Sequence, residues 1–232
     1  MSAARTEEPI DAAVSEAVQD YAKAIYSLSA PAGEPVSTSA LAERLGVSAA
    51  SASAMVKRLA ELGLVTHEPY HGVELTDAGE HVALAVMRHH RLLELYLAEA
   101  LGMSWDRVHE EAEVLEHAIS PELSELIAAK LGDPTHDPHG DPIPTREGRL
   151  DEGDTLSLQE LETGQGGTFV RVSDSNPELL RFLSERGIVP GMSFEVVDKH
   201  PFDGPLFARF GDETHALAGA ATRAMRVELR AG

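Results

Sequence analysis

The chain has 232 residues, 43% hydrophobic and 25% charged, which is enough for a sizeable core and for two domains of ordinary size. It contains no cysteine, so disulfides and thiolate chemistry are excluded and any metal must be held by His, Asp, Glu, Met or backbone carbonyls. No apolar run approaches the ~20 residues of a membrane span and no signal-peptide pattern opens the chain, so a cytoplasmic protein with no membrane partner is expected, while the formal net charge of −20 suits cations better than nucleic acid.

The opening "MSAARTEEPIDAAVSEA" reads as a short loose tail running into a helix from about Asp11 to Leu28. Val14, Val18, Tyr21, Ile25 and Leu28 recur there at three- and four-residue steps. "SAPAGEPVS" interrupts it with two prolines and a glycine. The stretch "LAERLGVSAASASAMVKRLAELGLV" then predicts two helices. The first turns Leu41, Ala42 and Leu45 inward and stops at Gly46. The second takes Ser48 as its N-cap, buries Ala52, Met55, Val56, Leu59 and Leu62, and ends at Gly63. "LVTHEPY" and "GVELT" alternate like two strands joined across "YHG". Helix, three-residue turn, helix and β-hairpin is the winged helix-turn-helix layout, which outweighs the blander reading of a helical hairpin with an unrelated β-hairpin.

From about His81 to Leu131 the sequence is strongly helical, with Pro121 placed to start a helix. "GDPTHDPHGDPIPTREGRLDEGD" reads as a linker with its own turn structure. From Thr155 to Arg230 the pattern becomes β-like, with one short helix in "NPELLRFLSERG", as in a small barrel of about five strands. The expected fold is mainly α with a small β domain. Residues 1–80 are expected to form a winged helix-turn-helix DNA-binding domain, 81–150 a helical domain with its Pro/Gly linker, and 151–232 a barrel domain.

The stretch "VHEEAEVLEH" packs four glutamates and two histidines into ten residues. At about 100° per residue, His109, Glu113, Glu116 and His117 share roughly a 100° arc, beside an apolar arc of Val108, Ala112, Leu115 and Ile119. Carboxylates so placed, partly desolvated and close together, repel unless a cation or protons intervene. His90 and Glu94 in "RHHRLLELY" stand one helical turn apart, and Asp20 lies beside the buried face of the first helix. Singly, such residues are surface pairs and wet helix edges. Together, on consecutive helices, they form the nitrogen and oxygen set that a divalent transition metal requires.

These stretches, with "DYAKAIYSL" and "DPHGDPIP", resemble the diphtheria-toxin-repressor family of metal-dependent transcriptional regulators, and within it the manganese-responsive branch. The resemblance covers almost the whole chain and implies that residues 81–150 are the metal-binding and dimerisation domain and that the C-terminus is an SH3-like (FeoA-like) β-barrel. It also implies a primary metal site at Asp20, Glu113, Glu116 and His117, and an ancillary site at His90, Glu94 and His109, with Asp174 in "RVSDSNPELL" as a further carboxylate. Two sites per chain are expected. Iron-responsive members carry Met and Cys where this chain has Asp20 and Glu113, and a hard carboxylate site suits Mn²⁺, with Fe²⁺ the alternative. Some manganese-responsive members carry Glu where Lys23 stands, which favours two separated sites here.

The expected function is a metal-dependent repressor that binds a palindromic double-stranded operator as a homodimer, with the dication tying the DNA-reading domain to the dimer core. Ser48, Ala49, Ala50, Ser51, Ser53 and Lys57 are the candidate DNA-contacting residues. No Asn, Gln or Arg starts that helix for bidentate base reading, so modest contacts and DNA shape are expected to share the work. The competing readings are a di-metal carboxylate oxidase, which lacks its usual pair of Glu-x-x-His motifs here, and a regulator governed by a partner or small molecule. His136 and His139 read as loop residues able at most to bind stray metal.

Overall fold

The computed structural model describes residues 14–29, 35–68, 71–202 and 204–230. The first residues of the expected N-terminal helix, most of "SAPAGEPVS", and Pro69 and Tyr70 at the hairpin join lie outside them. The chain divides into two compact units, one reaching to His89 together with Pro144–Leu150, the other His90–Ile143 with Asp151 onward.

In the first unit, α1 (Glu16–Leu28), α2 (Thr38–Arg44) and α3 (Ala49–Glu61) are followed by the hairpin of β1 (Val65–Glu68) and β2 (Gly72–Leu75). Most of the apolar positions read from the sequence are core: Val18, Tyr21, Ile25, Leu41, Ala52, Val56 and Leu59 form one buried cluster with Val73. Leu28 and Leu62, expected on the apolar faces of α1 and α3, end or follow their helices and are exposed. Ser37 and Ser48 cap α2 and α3, each hydroxyl accepting a backbone N–H at 3.1 Å, as short polar residues do for about 1 kcal/mol each. Between these helices Gly46 has φ +64°, a left-handed turn that a β-carbon would strain. A further bridge, Val36 to Val73, braces the wing from the segment before α2. This is a winged helix-turn-helix.

α4 (Asp77–Glu99) begins a few residues before the expected domain boundary at 81 and contributes to both units. In the second unit its later residues Leu92, Leu93 and Leu95 pack with Ala112 of α5 (Val108–Leu115), Ile127 and Ala128 of α6 (Pro121–Lys130), and Ile143. The Pro/Gly segment that follows α6 is folded on itself. Ile143 N donates to Thr135 O at 2.8 Å, and Asp137 Oδ1 accepts the N–H groups of His139 at 2.8 Å and Asp141 at 2.9 Å.

The barrel is a six-stranded antiparallel sheet in the order β3 (Leu156–Ser157), β8 (Met225–Leu229), β4 (Gly166–Val172), β5 (Ser193–Lys199), β6 (Leu206–Phe210), β7 (Glu213–Leu217). The expected count was about five; a two-residue strand is too short to show an alternating pattern, so β3 escapes sequence reading. The last expected strand also contains a short helix, α8 (Ala220–Ala224), before β8. Phe169, Phe194, Phe210 and Met225 fill the barrel with Leu180 and Leu183 of α7 (Pro177–Ser184). Among the described residues no helix is long and apolar enough to cross a membrane.

Candidate metal centre

One helical turn on α4 sets His90 above Glu94, and both are buried against the apolar stripe of that helix. α5 brings His109 to the same place. Glu94 Oε1 lies 3.1 Å from His90 Nε2 and 3.2 Å from His109 Nδ1. The barrel supplies the fourth group: Asp174, in the turn between β4 and α7, places Oδ2 3.0 Å from His109 Nδ1. Ligand atoms of His90, Glu94, His109 and Asp174 all lie within 4.8 Å of one another.

The expected second cluster begins where α5 ends. The helix stops at Leu115, so Glu116 is its C-cap and His117 belongs to a turn, whereas the sequence pattern runs the helix through both. Glu116 is nonetheless buried, its Oε2 hydrogen-bonded to His90 Nδ1, and Glu113 Oε1 stands 3.6 Å from the same nitrogen. His117 Nε2 is 3.5 Å from Glu116 Oε1. Asp20, half-buried on α1, belongs to the other compact unit, with Lys23 one turn further along.

A third grouping had no counterpart among the expected ligands. Asp137 and His139, buried in the Pro/Gly segment, meet Glu94 on its far side, with His139 Nδ1 3.6 Å from Glu94 Oε2. The other ring nitrogen, Nε2, is 2.8 Å from Trp105 O; a carbonyl only accepts, so Nε2 carries the hydrogen. The indole of Trp105 stacks on the ring, centroids 5.8 Å apart. The signal available in the sequence was "DPHG", two donors one residue apart beside a turn-forming glycine. His136, by contrast, is exposed, and its Nδ1 lies 2.9 Å from the hydroxyl of its neighbour Thr135.

The electrostatics are those of acids held among imidazoles. Burial works against ionisation of Glu94, yet His109, His139 and His90 hold it well below the usual carboxylate range. The Asp174 hydrogen bond, then that of Glu94, lifts His109 to about 10. Burial opposes charge on His139, but Glu94 and Asp137 raise it to about 9. Burial, reinforced by Asp141 and Glu94, pushes the Asp137 carboxyl well upward.

The donor set fits a divalent transition metal. It is all oxygen and imidazole nitrogen, several carboxylates converge, and Glu94 Oε2 and His139 Nδ1 are buried without a hydrogen-bond partner. On the DNA-reading side, Ser48, Ala49, Ala50, Ser51, Ser53 and Lys57 are all exposed, while Ala52 and Val56 face the core. All three of these hydroxyls already have local partners: Ser48 Oγ is 2.9 Å from Ser51 Oγ, and Ser53 Oγ donates to Ala49 O at 2.8 Å.

A winged helix ahead of a helical region dense in hard metal donors defines a metal-responsive DNA-binding regulator. The sequence matches the iron dependent repressor N-terminal DNA binding domain over residues 13–73, the iron dependent repressor metal binding and dimerisation domain over 76–145, and the FeoA domain over 156–229. The iron-dependent repressor IdeR of Mycobacterium tuberculosis is 30% identical over 220 residues, 90% of this chain and 95% of that protein. The diphtheria toxin repressor of Corynebacterium efficiens is 36% identical over 218 residues, 85% of this chain and 92% of its own. Among solved structures, a manganese-dependent transcriptional repressor in complex with manganese superposes with a TM-score of 0.85 at 42% identity, over 92% of this chain and 100% of that one. The manganese regulator SloR does so with a TM-score of 0.74 at 31% identity, over 92% and 98%. The chain belongs to the diphtheria-toxin-repressor family of metal-dependent, DNA-binding transcriptional repressors.

Proposed function

We propose that this chain is a manganese-responsive repressor whose DNA binding depends on filling two donor clusters. The observation that carries the reading is the set around Glu94: two imidazoles and a second carboxylate, with no sulfur ligand in a chain that has no cysteine. Hard oxygen and imidazole donors suit Mn²⁺, although raw affinity rises toward Fe²⁺ and beyond. The manganese-dependent repressors that superpose on the chain support the same choice, whereas the iron-dependent repressors related in sequence favour Fe²⁺ as the second reading.

His90, Glu94, His109 and Asp174 are assigned to the ancillary site, and Glu113, Glu116, His117 and Asp20 to the primary one. Asp20 enters on the family resemblance. A bound dication supplies the positive charge that lets these acids share one point. Glu113, Glu116 and Asp20 otherwise repel, and α1 is then poorly tied to the helices that carry the other ligands. Residues 1–80 would serve as the DNA reader, 81–150 as the metal-binding and dimerisation domain, and 151–232 as the domain that supplies Asp174. Val114 on α5 and Leu123 and Leu126 on α6 are exposed apolar side chains within the stretch matched to dimerisation, available to a second copy.

Ser48, Ala49, Ala50, Ser51, Ser53 and Lys57 would face the DNA in this assignment. The remaining negative charge need not oppose that contact where it lies more than ~8–10 Å away at ordinary ionic strength. The test is anaerobic titration of operator binding with Mn²⁺ and Fe²⁺. Activation by Mn²⁺ is expected, and activation by Fe²⁺ at much lower free concentration would transfer the assignment to iron.

A further inference from the structure

We infer that Asp106 and Arg181 are a positioning pair for the ancillary cluster, their ion pair setting the barrel turn from which Asp174 reaches His109. The inference rests on the assignment of His90, Glu94, His109 and Asp174 as metal ligands and extends it to what holds the last two in register.

Asp106 stands three residues before His109, where the chain enters α5, and Arg181 lies on α7, seven residues after Asp174. Arg181 Nη1 donates to Asp106 Oδ2 at 3.0 Å. The pair therefore joins the same two stretches of chain that His109 and Asp174 join, as a second tie beside that contact. Asp106 is firmly set, its side chain only 11% exposed. Burial works against its ionisation, yet hydrogen bonds from Ser104 and Arg181 hold its carboxyl below the usual range. The neighbouring Trp105 packs against the barrel core, and its carbonyl accepts from His139 Nε2 at 2.8 Å.

The turn that bears Asp174 is tied on both sides. On the β4 side, Val172 N donates to His139 O at 3.0 Å. On the other side Asn176 caps α7, its Oδ1 accepting Leu179 N at 3.1 Å, so turn and helix form one piece. Arg181 fastens that piece to the connection between α4 and α5. Its side chain is 52% exposed, and an ion pair with so open a member contributes little to folding. What it fixes is direction. Ligands drawn from separate elements bind well only when their supports are held, and partners one step removed from a metal alter its affinity by about 10–100-fold.

The test titrates the metal-stripped full chain with Mn²⁺ by calorimetry, beside thermal unfolding of the same samples without metal. Asp106→Asn and Arg181→Gln should each weaken, by about tenfold, the same binding step that His109→Gln and Asp174→Asn weaken. The other step and the unfolding midpoint should stay close to wild type. Arg181→Lys, which keeps the charge, should recover most of the affinity. The double variant should lose no more than either single one, because both act through one contact. Unchanged Mn²⁺ affinity in the single variants, equal weakening of both steps, additive losses in the double variant, or no recovery with Arg181→Lys would overturn the pair's role. Arg181→Gln, at a half-exposed position, decides the matter should Asp106→Asn misfold. If His109→Gln and Asp174→Asn weaken a step and the pair variants do not, only the pair is dismissed. If those two leave both steps intact, the ancillary assignment itself is wrong.

Discussion

The imidazole of His90 separates two buried carboxylates, with Nδ1 hydrogen-bonded to Glu116 and Nε2 3.1 Å from Glu94 Oε1. One ring therefore belongs to both donor clusters. Whichever nitrogen faces a metal, the other orients an acid that serves the neighbouring cluster, and outer-shell partners of this kind alter metal affinity by about 10–100-fold. His90→Gln should weaken Mn²⁺ uptake at both clusters by factors in that range. Calorimetric titration reads the two steps separately, and a variant that changed only one would deny the ring its double role.

Asp20→Ala should abolish metal-dependent operator binding and leave a folded dimer. Light scattering and circular dichroism check the dimer and the fold, while mobility shifts with and without Mn²⁺ check the control. Tight operator binding by this variant in the presence of chelator would contradict the assignment of Asp20.

Gly140 has φ +86°, and a β-carbon there would fall 1.9 Å from Val170 O. A left-handed non-glycine residue costs on the order of 1–3 kcal/mol before any collision is counted. Because the colliding atom is backbone of β4, Gly140→Ala must shift the loop that carries Asp137 and His139. Chemical denaturation should register a loss of about 2 kcal/mol or more, accompanied by weaker Mn²⁺ binding.

Trp105 is the only tryptophan in the chain and it stacks on His139. Its emission should change when Mn²⁺ is added to stripped protein and recover with chelator. An emission spectrum indifferent to Mn²⁺ would show that filling the cluster around Glu94 leaves the neighbouring His139–Trp105 stack undisturbed.

Lys57 is exposed on the third turn of α3. As a phosphate contact it should give Lys57→Ala a nearly uniform loss of affinity across operator sequences. The slope of log affinity against log salt should become shallower by about 0.9 for that one contact. An unchanged slope would remove Lys57 from the interface.

Much of this arrangement is legible in the sequence, and the parts that are not share a physical cause. The i, i+4 pair His90–Glu94 and the caps Ser37 and Ser48 follow from local spacing, which a sequence displays directly. The end of α5 at Leu115 does not, because the apolar and acidic pattern continues smoothly into the turn that holds Glu116 and His117. Asp137 and His139 lie more than forty residues beyond Glu94, in a segment whose prolines and glycine advertise a linker. Nothing local reveals that such a loop folds back on a helix. Asp174 was reachable only through family resemblance, since its partner His109 comes from another domain.

With Asp174 assigned to the ancillary site as proposed, its 3.0 Å contact with His109 would make the C-terminal barrel a participant in cation sensing. A chain cut short after residue 150 would keep its reading helix, yet would surrender an oxygen from the ancillary cluster. A shortened version would have to recruit solvent or a substitute carboxylate, and its threshold for manganese would move upward accordingly.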